Sequence, residues 1–276
     1  ASIGGIARYD FGLRGQKAEA FYGPLQAGAI CVGCHAMSRD GKRVAAGMNI
    51  PGPAGMRALD TATKAKLFEV GPGVIAGSNY QAWSTDGKWL ITTEKGGLTV
   101  RDGTTGMVSG ANPNLANANM PDVAPDNLSV VFSRNITPQC LGPLCETLSV
   151  QGATLYTVEW KSDQTFGMPT LLAKADGMNN YYPSYSPDGR YVGYNRAAGD
   201  SYDAYDAKVM VIPVKGGNPI DLTSVNSEQG NSWPKWSPFI HHFKAGTIMW
   251  LTFSSRRPYG VRLGMPQAQI WMVPVD

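Results

Sequence analysis

One seven-residue phrase returns along this chain at intervals that suit a repeat fold. Ala36-Met37-Ser38-Arg39-Asp40-Gly41-Lys42, Ala82-Trp83-Ser84-Thr85-Asp86-Gly87-Lys88 and Ser184-Tyr185-Ser186-Pro187-Asp188-Gly189-Arg190 are full copies. Asp122-Val123-Ala124-Pro125-Asp126-Asn127 and Lys235-Trp236-Ser237-Pro238-Phe239 are degenerate ones, the last without its Asp-Gly. Ser-x-Asp-Gly is turn chemistry: Ser and Asp bond nearby backbone amides, and Gly or Asn accepts a left-handed conformation. An alternating or apolar run follows each turn, over residues 43–48, 89–93, 128–133, 191–195 and 247–254. A second strand-like run comes later in each repeat, over 56–60, 98–102, 154–159, 208–214 and 269–276. The anchors Ser38, Ser84, Ala124, Ser186 and Ser237 stand about 40 to 60 residues apart, the length of a four-stranded propeller blade with loop insertions.

Composition agrees with an all-β chain and narrows the partners. Only 16% of the residues are charged, while 33 Gly and 19 Pro supply turns, and 43% hydrophobic residues over 276 positions suffice for one large core. A net charge of +3, without a basic stripe, gives no footprint for nucleic acid or an anionic membrane surface. The longest uncharged run, 103–121, is Gly, Asn, Thr and Pro, so no membrane span is expected.

From about Cys31 to Asp276 these repeats resemble the TolB-type β-propeller family, whose blades carry an aromatic-Ser-Pro-Asp-Gly-basic signature. The resemblance implies architecture and says little about activity. The expectation is a single β-propeller domain over 1–276 with five four-stranded blades, six being the alternative. The fourth repeat ends in an outer strand near Ile220, whereas the fifth stops at Asp276 without one. Ser2-Ile3-Gly4-Gly5-Ile6-Ala7-Arg8-Tyr9 is therefore expected to complete the last blade and close two sheet edges.

Cys31-Val32-Gly33-Cys34-His35 is the C-x-x-C-H pattern of covalent c-type haem attachment. Two thiols at that spacing add to the two vinyl groups of one porphyrin, and the following His binds the iron. A redox C-x-x-C wants a βαβ context and a zinc site wants two more close ligands; neither stands nearby. His35 falls in the repeat register of Pro121, Pro183 and Pro234, which puts the motif in the inter-blade loop entering the first blade. In the register of Cys34 the other repeats carry Tyr80, Met120, Tyr182 and Trp233. Met120 is thus the first choice for the distal iron ligand, ahead of Met178, Met48 and Met56. Tyr80, Tyr182 and Trp233 would wall the porphyrin, and Arg134 and Arg196, each after the second strand of a blade, would meet its propionates. His241 and His242 fall in an expanded loop of the last blade, on the opposite face.

Haem c places the protein outside the cytoplasm, periplasmic or secreted, where Cys140 and Cys145 would form a disulfide. The function expected is that of a monohaem c-type cytochrome passing single electrons between redox protein partners, other cytochromes in an assembly among them. An open sixth position would instead make it a ligand-binding or peroxidase-like protein. The propeller could also serve as a docking scaffold in a larger redox assembly.

Overall fold

The computed structural model describes residues 4–10, 13–49, 55–71, 80–94, 97–109, 115–134, 150–201, 204–228, 230–244, 246–260 and 268–276. Two short strands open the chain, β1 (Ile6–Arg8) and β2 (Glu19–Tyr22), followed by one helical turn, α1 (Pro24–Ala27). The first blade is β3 (Cys31–Met37), β4 (Arg43–Asn49), β5 (Gly55–Asp60) and β6 (Lys66–Val70). The second is β7 (Gln81–Trp83), β8 (Trp89–Glu94) and β9 (Gly97–Asp102). The third is β10 (Ala118–Val123), β11 (Ser129–Arg134), β12 (Thr154–Glu159) and β13 (Thr170–Ala173). The fourth is β14 (Asn179–Tyr185), β15 (Tyr191–Ala197), β16 (Lys208–Pro213) and β17 (Ile220–Asp221). The fifth is β18 (Asn231–Phe243), β19 (Gly246–Ser255) and β20 (Gln269–Val275). The fold is an all-β, five-bladed β-propeller of antiparallel sheets.

The recurring phrase builds the turn its chemistry predicts. Ser38, Ser84 and Ser186 each donate through Oγ to the Oδ1 of Asp40, Asp86 and Asp188, at 2.6, 2.7 and 2.6 Å. The same hydroxyls accept the first N–H of the returning strand, from Arg43, Trp89 and Tyr191, at 3.0, 2.9 and 3.0 Å. Gly41, Gly87 and Gly189 take φ of 71, 68 and 71°, and Asn127 takes 60° in the degenerate third copy. A side chain larger than glycine is strained at such angles unless, like Asn, it bonds locally.

Contacts gather the chain into two compact units. Of the described residues, those up to 109 form the first and those from 115 onward the second. In the first, strand alternation sends Val44, Ala46 and Met48 to one side of β4, against Ile6, Phe21, Tyr22 and Ala27. Ala45 goes to the other side, with Met56, Ala58 and Phe68 against Trp83 and Leu90 of the second blade. In the second unit, Val131 and Leu155 pack on Tyr185, Val192 and Tyr194, while Val209 and Val211 pack on Trp236, Leu251 and Phe253.

Three placements differ from the sequence reading. Ile6–Arg8 pairs with Glu19–Tyr22 in a sheet of its own (Ile6 opposite Tyr22, Arg8 opposite Glu19) instead of extending the last blade, whose sheet has three strands among the described residues. A partner a dozen residues away requires far less loop closure than one at the other end of the chain, and Ile6 gains burial on the first blade. The C-x-x-C-H motif lies in the innermost strand, since β3 begins at Cys31 and pairs Val32 with Met48. His241 and His242 lie in β18, exposed and opposite Ile248 and Thr247. The phrase at 235–239 lacks Asp-Gly, so nothing turns the chain there; an irregularity between Trp236 and Ile240 absorbs it and the strand runs on to Phe243. Cys140 and Cys145 lie outside the described residues.

Candidate cofactor attachment site

In a straight strand Cys31 and Cys34 would point to opposite faces. The strand is not straight there. Gly33 pairs with Gly47 and His35 with Ala46, leaving Cys34 as one extra residue at φ 45°, a β-bulge in the left-handed region. Both thiols are free, Cys31 exposed and Cys34 half-buried. Burial, with a smaller contribution from Cys31, pushes the Cys34 thiol above its ordinary pKa, so it is not the primed thiolate of a redox C-x-x-C. His35 is exposed in area, yet the protein crowding its ring desolvates it and lowers its pKa, which leaves a neutral imidazole with a lone pair to give. Among the described residues no three His, Cys, Asp or Glu side chains converge on a point that could hold a bare metal ion. A porphyrin needs no such point, since it would engage the two thiols and the imidazole at separate atoms.

The opening segment flanks the motif. Val32 N–H donates to the Gly4 carbonyl at 3.0 Å. A Cβ on Gly4 would stand 3.9 Å from both the Cys31 sulfur and the Pro24 ring. The short α1 is pinned by Gly23 N–H to Gln26 Oε1 at 2.8 Å and buries Ala27, while Leu25 is 100% exposed.

In the second unit the same bulge recurs in all three inner strands, each gaining one residue on its partner. The left-handed residues are Met120 (φ 52°), Tyr182 (φ 51°) and Trp233 (φ 58°), the positions the repeat register equates with Cys34. Such a bulge ordinarily holds glycine. The residue displaced from the ladder needs another partner for its N–H. Met120 donates to Asn119 Oδ1 at 2.8 Å, Tyr182 to the Met120 sulfur at 3.4 Å and Trp233 to Asn195 Oδ1 at 2.7 Å. The next residue is proline in each, Pro121, Pro183 and Pro234, which has no N–H to satisfy. In the first blade that place belongs to His35.

The remaining predicted residues are found at work within the protein. Met120 is 3% exposed with its sulfur engaged as above. Tyr182 is buried and stacks at 4.4 Å on Trp233, which is 41% exposed. Tyr80 is buried just ahead of β7, its carbonyl accepting Thr93 N–H at 3.0 Å. The Arg134 guanidinium lies over Phe132 and Tyr156, at 5.5 and 5.1 Å. Arg196 donates to the Lys174 and Ala175 carbonyls and to Asn180 Oδ1, at 3.2, 3.0 and 3.2 Å, and so braces a turn of its own unit. Sequence reasoning missed Asn119 and Asn195, which hold bulge amides. An Asn directly before Met120 was a usable signal; Asn195 carried none, because its partner is 38 residues away.

No family profile and no curated protein matches the chain. Solved structures do. A putative TolB from Agrobacterium tumefaciens superposes with a TM-score of 0.58 at 19% identity, over 86% of this chain and 73% of that one. TolB from Acinetobacter baumannii gives 0.56 at 15% identity, over 87% of this chain and 55% of that one, so this chain spans little more than half its length. A chain of a nidogen/laminin complex gives 0.57 at 11% identity, over 91% and 86%. No helix among the described residues is long and apolar enough to cross a membrane. At these identities the likeness is one of fold, and the fold is a TolB-like β-propeller.

Proposed function

We propose that this protein is an extracytoplasmic c-type cytochrome on a propeller scaffold. Haem would be joined to Cys31 and Cys34, with His35 as its iron ligand. The observation that carries the reading is a complete C-x-x-C-H motif on a strand where Cys31 and His35 are exposed and both thiols are free. When bound, haem supplies a one-electron couple. The chain's own part is to present the motif at a strand that water and a partner protein can reach. Partners would be redox proteins, other cytochromes in an assembly among them, in the periplasm or outside the cell. Intact mass of the acid-denatured protein, expressed with haem maturation, tests this: one haem beyond the polypeptide is expected. A colourless chain, or colour retained in Cys31→Ala with Cys34→Ala, refutes it.

One observation favours a second reading. Met120 is buried with its sulfur already accepting an N–H, so the iron would lack that distal ligand. An open sixth position suits small-ligand or peroxide chemistry. A low-spin spectrum indifferent to carbon monoxide supports electron transfer; a high-spin one that shifts with the gas supports the second reading.

A further inference from the structure

We infer, resting on that attachment, that the segment before the motif is the porphyrin's apolar seat, with Leu25 and Ile30 as its contact residues. The burial in this segment is uneven. Ala27 is buried and Ala29 packs behind it on the cluster of Phe21, Tyr22 and Val32, whereas Leu25 is 100% and Ile30 65% exposed. These two are not loosely held. Ala27 and Ala29 N–H donate to the Gly23 and Pro24 carbonyls, both at 3.0 Å, and Gly28 at φ 65° turns the chain toward Ile30. A hydrogen-bonded segment thus holds two large aliphatic side chains in water, Leu25 next to Pro24 and Ile30 next to Cys31 along the chain. Gly4 joins the parts: with no side chain, it leaves open the place lying 3.9 Å from both the Cys31 sulfur and the Pro24 ring, and a thioether needs that room.

The occupant follows from size and tether. Two aliphatic side chains fall far short of the roughly 800 Å² a side that a stable protein interface buries. They match the edge of a flat apolar ring. A porphyrin bonded at Cys31 is held beside them and meets no fresh association cost, unlike a diffusing partner.

The test is Leu25→Ser with Ile30→Ser, made in the haem-bearing protein and again in a Cys31→Ala, Cys34→Ala background. Haem should still attach by intact mass, its Soret band should shift, and the haem-bearing protein should melt a few degrees lower. The haem-free background should be unchanged. Equal losses in both backgrounds would make the two side chains merely structural and overturn the inference. An unaltered spectrum and melting point with haem attached would also overturn it, and if binding to a redox partner then weakened, the residues would belong to a protein interface. A wild type without haem fails the proposed function itself, which intact mass separates from these results.

Discussion

The bulge of β3 and the bulges of β10, β14 and β18 are one backbone device put to two uses. All four place a residue other than glycine in the left-handed region, a conformation that costs such residues about 1–2 kcal/mol. In the second unit the strain is offset locally: Asn119, Met120 and Asn195 accept the displaced amides, and Tyr182 stacks on Trp233. In the first unit the strained residue is a free cysteine followed by an exposed histidine where the others carry proline. A left-handed residue other than glycine beside two thiols and an imidazole marks the place to look for function. The lesson is that a repeat can keep its geometry while one copy changes its chemistry.

The comparison breaks most readily at Asn195. It is fully buried, accepts Trp233 N–H and donates to the Lys208 and Asn231 carbonyls at 3.0 and 2.9 Å. Asn195→Ala should cost about 3 kcal/mol in urea unfolding, because several buried groups lose partners together. A cost under about 1 kcal/mol would show that the bulge holds itself. Met120→Leu keeps the volume but removes the acceptor of Tyr182 N–H, for an expected loss of about 1–2 kcal/mol. On the proposed haem attachment, the spectrum of this variant should match the wild type; an opened iron would make Met120 its ligand after all.

Glycine substitutions sharpen the contrast, since glycine adopts positive φ freely. Trp233→Gly relieves strain but loses the stack and partial burial, for a net cost of about 1 kcal/mol. Cys34→Gly, measured without haem, should gain about 0.5 kcal/mol, and a clear loss would mean that the thiol supports the fold. The smallest effect concerns the turn beside the motif. The Ser38 hydroxyl, and then the Lys42 N–H, hold the Asp40 carboxyl below the ordinary aspartate value. Its contribution is therefore complete above about pH 4 and lost as pH falls through the lowered value. Asp40→Asn should flatten that acid limb of the melting temperature, and an unchanged limb would remove Asp40 from the account.

Much of the fold was legible because its signals are local. The Ser-x-Asp-Gly turns bond within five residues, and strand alternation repeats every two, so β4, β8, β15 and β19 begin within about one residue of expectation. The register equated Cys34 with Tyr80, Met120, Tyr182 and Trp233; a shared left-handed φ supports it for Met120, Tyr182 and Trp233, whereas Tyr80 does not adopt that conformation. Where the phrase decayed, at 235–239, the strand after the turn was still found but the continuation of β18 through His241 was not.

By itself the sequence determined the blade grammar and set out Cys31-Val32-Gly33-Cys34-His35 as the candidate site, because turn chemistry and a five-residue motif need only neighbours along the chain. Tertiary structure decided what that grammar left open. It paired Ile6–Arg8 with Glu19–Tyr22, set the motif in a strand, and gave Met120, Arg134 and Arg196 partners inside their own unit. Those outcomes depend on which buried amides and carbonyls lack partners once the strands have met, and such needs exist only in the folded chain.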